Sequence, residues 1–138
     1  MRRGGRPLYL LRNRRGVAAI ELAFALPVYL LFLFGVMDMG WLMFKQVTLD
    51  RAVSLAARCG AVRNGGCASD AGIKAYAADI ASVINVPKES FTVTTPSPSC
   101  GIQVQISQVH NFFYSGGGLG SVTLRASACM ARTDVKPA

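Results

Sequence analysis

Acidic residues are absent from the first sixteen positions of this chain, while six arginines (Arg2, Arg3, Arg6, Arg12, Arg14 and Arg15) stand there. Charge of either sign is then almost absent from residues 17–37, where Glu21 is the one charged residue. Histidine occurs once, at His110, with no Ser or Cys nucleophile set around it. The four cysteines are separated by seven, thirty-two and twenty-eight residues. That spacing excludes the paired C-x2–4-C ligands that a structural zinc site needs. Gly116-Gly117-Gly118-Leu119-Gly120 lacks the Lys-Ser/Thr and the following helix of a phosphate loop, so it reads as a hairpin connection. No carboxylate pair and no internal repeat stands out. These absences lead to the expectation of a protein that is not an enzyme and holds no metal or cofactor.

What is present is apolar. The chain has 138 residues, 51% of them hydrophobic, which is high for a protein dissolved in water. Six of the eight net positive charges lie in the N-terminal arm, because residues 17–138 hold nine Lys/Arg against seven Asp/Glu and so carry only +2. A short basic block with no DNA-reading domain after it argues against nucleic acid as a partner. Beside a long apolar run it reads instead as a cytoplasmic flank. A helix over residues 17–37 would be about 31 Å long, close to the hydrocarbon thickness of a bilayer. The remaining chain is too short to bury a helix that is apolar all round. The run ends in Met37-Asp38-Met39-Gly40-Trp41, which offers no secretory cleavage site, and Asp38 marks the outer interface. The lipoprotein-like stretch at 52–59 is discarded because Arg58 precedes Cys59.

The predicted fold class is α+β. A long N-terminal transmembrane helix extends into a small globular domain, where a second helix packs on a three-stranded antiparallel sheet. Residues 1–16 form a basic leader, residues 17–62 the long helix (17–37 within the membrane), and residues 63–138 the outer domain. From Trp41 onward the helix becomes amphipathic. Leu42, Leu49, Val53 and Ala56 share a stripe, and Lys45, Asp50, Arg51, Ser54 and Arg58 form polar faces. Pro27 removes one backbone hydrogen bond and is expected to kink or loosen the helix. Gly60 and Asn64-Gly65-Gly66 are expected to end it. A second helix over Asp70–Ile84 is capped by Ser69 or Asp70 and stopped by Asn85 and Pro87, with Ile73, Ala77, Ile80, Ala81 and Ile84 on one face.

After Pro87 the period changes to two. Phe91, Val93 and Thr95, then Ile102, Val104 and Ile106, then Val122, Leu124, Ala126, Ala128 and Met130 alternate with polar residues, which predicts a meander. Its turns are Pro96-Ser97-Pro98-Ser99 and the longer loop from Asn111 to Gly120. His110, at a strand end, reads as structural or exposed. Phe112-Phe113-Tyr114 either fold down on the sheet or helix, the preferred reading, or present an aromatic contact surface.

Cys59, Cys67, Cys100 and Cys129 all fall on the outer side, and an even number in a small exported domain points to disulfides. Three pairings are possible. Cys59 with Cys67 would close the turn between the helices, and Cys100 with Cys129 would tie the second strand to the third. The latter pair has mismatched parity, since Ile102 and Leu124 are even-numbered while Cys129 is odd. A one-residue bulge, for which Gly101 is the natural place, would resolve it.

Arg14-Arg15-Gly16 followed by Val17-Ala18-Ala19-Ile20-Glu21-Leu22 resembles the processing site of type IV pilin-like proteins. The longer run over residues 14–61 is similar to TadE-like (TadE/TadF) minor pseudopilins of the tight-adherence (Flp) pilus. It shares a Leu-Pro inside the membrane helix, Gly-x-x-Asp after it, and an Ala-Ala-Arg segment. The ending VTLRASACMAR is similar to that family's last strand. The resemblance implies cleavage after Gly16 by a prepilin peptidase, a new N-terminus at Val17, and an assembly role for Glu21 as the fifth mature residue. It implies further partners in other pilin and pseudopilin subunits, the inner-membrane assembly platform and membrane lipid. It places the chain in a bacterial inner membrane with its N-terminus cytoplasmic and its C-terminal domain periplasmic, or within an extracellular pilus. The rival reading is an uncleaved signal-anchored envelope protein with a disulfide-stabilised, partner-binding domain.

Overall fold

A computed structural model describes residues 14–63, 65–97, 100–112 and 120–132. The basic leader before Arg14, Pro98-Ser99 in the first turn, and the loop over 113–119 with Phe113 and Tyr114 lie outside the described residues. The chain divides at Met37 and Asp38 into two units. Helix α1 (Arg14–Val62) contributes to both.

The first unit, as described, is the apolar part of α1. The helix is long and apolar enough to cross a membrane, and the most apolar stretch is not buried by protein. Its large side chains from Val17 to Met37 are exposed among the described residues. α1 continues through Pro27. The ring nitrogen leaves the Ala23 carbonyl without its donor four residues on, a defect membrane helices tolerate when neighbours or water satisfy the oxygen.

The second unit holds one core. Leu49, Ala52, Val53, Ala56 and Ala57 of α1 are buried, and Leu42 packs on them from the edge. The small residues in this stripe let a second element approach closely. Helix α2 (Asp70–Ile80) supplies Ile73 and Ala77 to the same core. The Gly72 N–H donates to Ser69 Oγ at 3.2 Å, which caps α2. The expected helix to Ile84 ends earlier, at Ile80, and continues as a 3-10 turn over Ser82–Ile84. There the Ile84 N–H donates to the Ala81 carbonyl at 3.0 Å, and Asn85 turns left-handed at φ 54°. Tightening to this spacing satisfies carbonyls that the helix end would otherwise leave open.

α1 ends at Val62, the expected bound, but Gly60 is not what stops it: the helix runs on through Gly60, and Arg63 takes the left-handed turn at φ 50°. Gly60 serves packing instead. A Cβ there would meet Ile73 Cδ1 at 2.7 Å and Ile102 Cδ1 at 3.2 Å, so the missing side chain lets α1, α2 and the sheet converge.

The sheet has strands β1 (Phe91–Ser97), β2 (Gly101–Asn111) and β3 (Ser121–Met130) in the order β1-β2-β3, all antiparallel neighbours. The register aligns Phe91 with Ile106 and Ala126, so one face of each strand enters the core while Thr92, Gln105 and Ser127 face away. This is the alternation of a sheet covered on one side. Val122 and Met130 share the inner face yet stay partly open, because they stand at the two ends of an edge strand. α1 runs antiparallel to β2: Lys45 meets His110 near its end, and Gly60 meets Ile102 near its start. Gln46 Nε2 also donates to the Arg125 carbonyl at 3.0 Å, joining α1 to β3.

Candidate assembly segment and the buried histidine

Gly16, Val17 and Glu21 all lie on α1 within the first unit, and all three are exposed. Val17 and Glu21 stand four positions apart on the helix. They therefore share a face and stand about 6 Å apart along the axis. A new α-amine at Val17 would lie one turn from the Glu21 carboxylate.

The cysteines all lie in the second unit. The structure joins Cys59 to Cys67, with Cα atoms 5.7 Å apart, and Cys100 to Cys129, with Cα atoms 5.9 Å apart. The first closes the connection from α1 to α2. The second crosses from the residue before β2 to the end of β3. The β2–β3 ladder is regular, so the parity mismatch is not absorbed by a bulge between these strands. Gly101 has φ +100°, and the β1–β2 register shifts between Thr94 and Ser97. The turned glycine re-aims Cys100 toward the face that carries Cys129.

At the opposite end of β2 the sheet holds His110, the single buried polar or charged residue among those described. Its parity matches Ile102, Val104 and Ile106, and the side chain turns inward toward α1. Lys45 Nζ lies 3.3 Å from Nδ1, and Asp38 Oδ1 lies 3.4 Å from Nε2. An ammonium has only donors, so Nδ1 is the acceptor in this contact. Nε2 is within ion-pair reach of Asp38 without an aligned hydrogen bond. Phe112 meets the imidazole edge-on at 5.3 Å. Trp41 stacks on Phe44 at 5.4 Å and takes Lys45 Nζ over its ring at 5.8 Å.

Sequence reasoning placed Asp38 at an interface and Lys45 on a polar face, and did not bring either to His110. A signal was available. Asp38 and Lys45 are seven residues apart, two turns on one face, and Leu42 and Leu49 of the apolar stripe fall on that face too. Polar residues on a buried stripe need partners, and the inward-facing strand end supplies one. Among the described residues no group of three or more His, Cys, Asp or Glu could hold a metal ion.

Residues 16–58 match the family described as TadE-like protein. The match begins at Gly16, follows α1 through both units and ends one residue before Cys59. No curated protein and no solved structure matches the chain.

Proposed function

We propose that this chain, TadE-like over residues 16–58, is a minor pseudopilin of a tight-adherence pilus. A prepilin peptidase cuts it after Gly16, and it then takes part in assembly, priming or tip formation. One coincidence carries the reading: the family match starts at the residue where the cut is proposed, and the helix that follows exposes its whole apolar length. Such a helix is held by lipid until sister helices replace the lipid around it, through close packing rather than a hydrophobic driving force. Its partners are the peptidase, other pilin and pseudopilin subunits, and the inner-membrane assembly platform.

Glu21 gives that packing a direction. An acid within an apolar helix is costly in lipid, and a nearby cation lowers the cost. Cleavage creates that cation at Val17. Glu21 pairs with the amine of its own chain, one turn away, or with that of a neighbouring subunit. The second unit, stapled by its two disulfides, faces the oxidising side of the membrane.

The test is N-terminal sequencing of the protein made with and without a prepilin peptidase. A chain beginning at Val17 only when the enzyme is present supports the reading. An unchanged Met1 terminus in pilus-producing cells would instead favour the uncleaved anchor.

A further inference from the structure

At one end of the second unit, the alternation that keeps its uncovered surface polar breaks down. Along β2 the open face carries Gln103, Gln105 and Ser107, then Val109, which is 62% exposed. Its neighbour His110 pairs with Val122 of β3, itself 36% exposed although it belongs to the inner face. His110 also touches Asp38 and Lys45, so Val109 and Val122 lie level with the turns of α1 between those two residues. On these turns Trp41, Met43 and Phe44 are exposed by 45%, 56% and 44%. Between Asp38 and Asp50 the only charged residue is Lys45, which is partly buried. Three elements thus bring exposed apolar side chains to one level, at the end where the chain enters this unit through Asp38.

We propose that this end of the second unit is seated in the headgroup layer of a phospholipid bilayer. The inference rests on the reading that the apolar half of α1 crosses that bilayer. A helix over residues 17–37 is about 31 Å long, which matches the hydrocarbon thickness, and Trp41 follows about one turn after its end, at the depth of the far interface. Tryptophan favours that depth because an apolar ring and a polar N–H are both accommodated there. The decisive point is Val109. It faces away from α1, on the opposite side of the sheet from Trp41, and its sequence position does not tie it to the membrane helix. A folded partner docked on one face would cover one of these residues. A fluid layer meeting the end of the unit covers both. The exposed methionine and aromatic side chains gain by leaving water at the boundary between headgroups and acyl chains, and the hydroxyl- and amide-bearing face beyond Val109 remains in water.

Trp41 is the sole tryptophan, which makes depth measurable. The full chain is reconstituted into phosphatidylcholine vesicles whose lipids are brominated either near the glycerol end or near the chain terminus, and flotation is read on the same samples. In a W41F/V109W variant the only indole stands on the outer face of the sheet. The expected result is loss of its emission with lipid brominated near the glycerol end, less loss with the deeper label, and little with aqueous iodide. Quenching by iodide alone would put that end in water and overturn the proposal. Quenching by neither would mean that protein, such as a second copy, covers it, and would overturn it equally. A chain that floats while its Val109→Trp indole escapes bromolipid refutes only this proposal. A chain that fails to float refutes the membrane anchor as well.

Discussion

Lys45 Nζ and His110 Nδ1 stand 3.3 Å apart, which ties α1 to the end of β2. Lysine cannot accept a hydrogen bond, so Nδ1 is the acceptor in this contact, while Nε2 lies 3.4 Å from Asp38 Oδ1 without an aligned hydrogen bond. Lys45→Met should leave Nδ1 in the interior without a donor and cost about 1–3 kcal/mol of stability. In a His110→Leu background the same change should cost much less, because the acceptor is gone. A double-mutant cycle by chemical denaturation measures the difference, and nitrogen chemical shifts of the ring report the tautomer directly. Equal losses in both backgrounds would remove the contact from the account.

Gly101 combines two demands that no other residue meets. Its φ of +100° lies where side chains are strained, and a Cβ there would meet the backbone at Arg132 N (2.9 Å) and Met130 O (3.1 Å). Neither atom is the loose end of a side chain, so neither moves cheaply. Gly101→Ala should lower stability by about 1–3 kcal/mol. It should also misalign Cys100 with Cys129, seen as free thiol in the purified variant. A variant that is fully oxidised and as stable as the parent would show that the turn does not set the pairing.

Much of the sheet was readable from period and parity. Phe91, Ile102, Val104, Ile106, Leu124 and Ala126 declare a common face, and strands with one buried face have little freedom of register. The parity mismatch of Cys100 and Cys129 was legible too, and drew notice to Gly101, although the remedy was a left-handed turn rather than a bulge in the ladder. Gly60 was misread because a glycine near a helix end carries the same local signal whether it stops the helix or admits a neighbour. Ile73 and Ile102, which decide between the two, come from distant elements. His110 was illegible for a related reason. Its partners lie on an element with another period, and their meeting depends on how α1 crosses β2. For the proposed assembly residues, Gly16 and Glu21 were found by pattern alone, and both sit on a stretch of α1 that is exposed among the described residues.

The two disulfides should contribute separately. Replacing Cys59 and Cys67 together by serine frees the link between α1 and α2, and replacing Cys100 and Cys129 frees the sheet's far end. Each pair should cost about 2–4 kcal/mol. Denaturant midpoints of the two variants and of the parent give the values, and non-reducing peptide mapping gives the connectivity. A peptide joining Cys67 to Cys100 would contradict the arrangement.

Glu21→Ala separates insertion from assembly. An apolar side chain at this depth is easier to place in a bilayer than an acid, so the variant should enter the membrane at least as well as the parent. Between Val17 and Met37 the helix then carries no charged side chain. If Glu21 meets the amine released at Val17, assembly should fail although protein accumulates in the membrane. Glu21→Gln keeps the shape and the hydrogen-bonding capacity and removes only the charge, so it should fail as well. Immunoblots of membrane fractions and counts of surface pili give the two readouts. Normal piliation in both variants would leave the carboxylate without an assembly role, whereas normal piliation in Glu21→Gln alone would move that role from charge to hydrogen bonding.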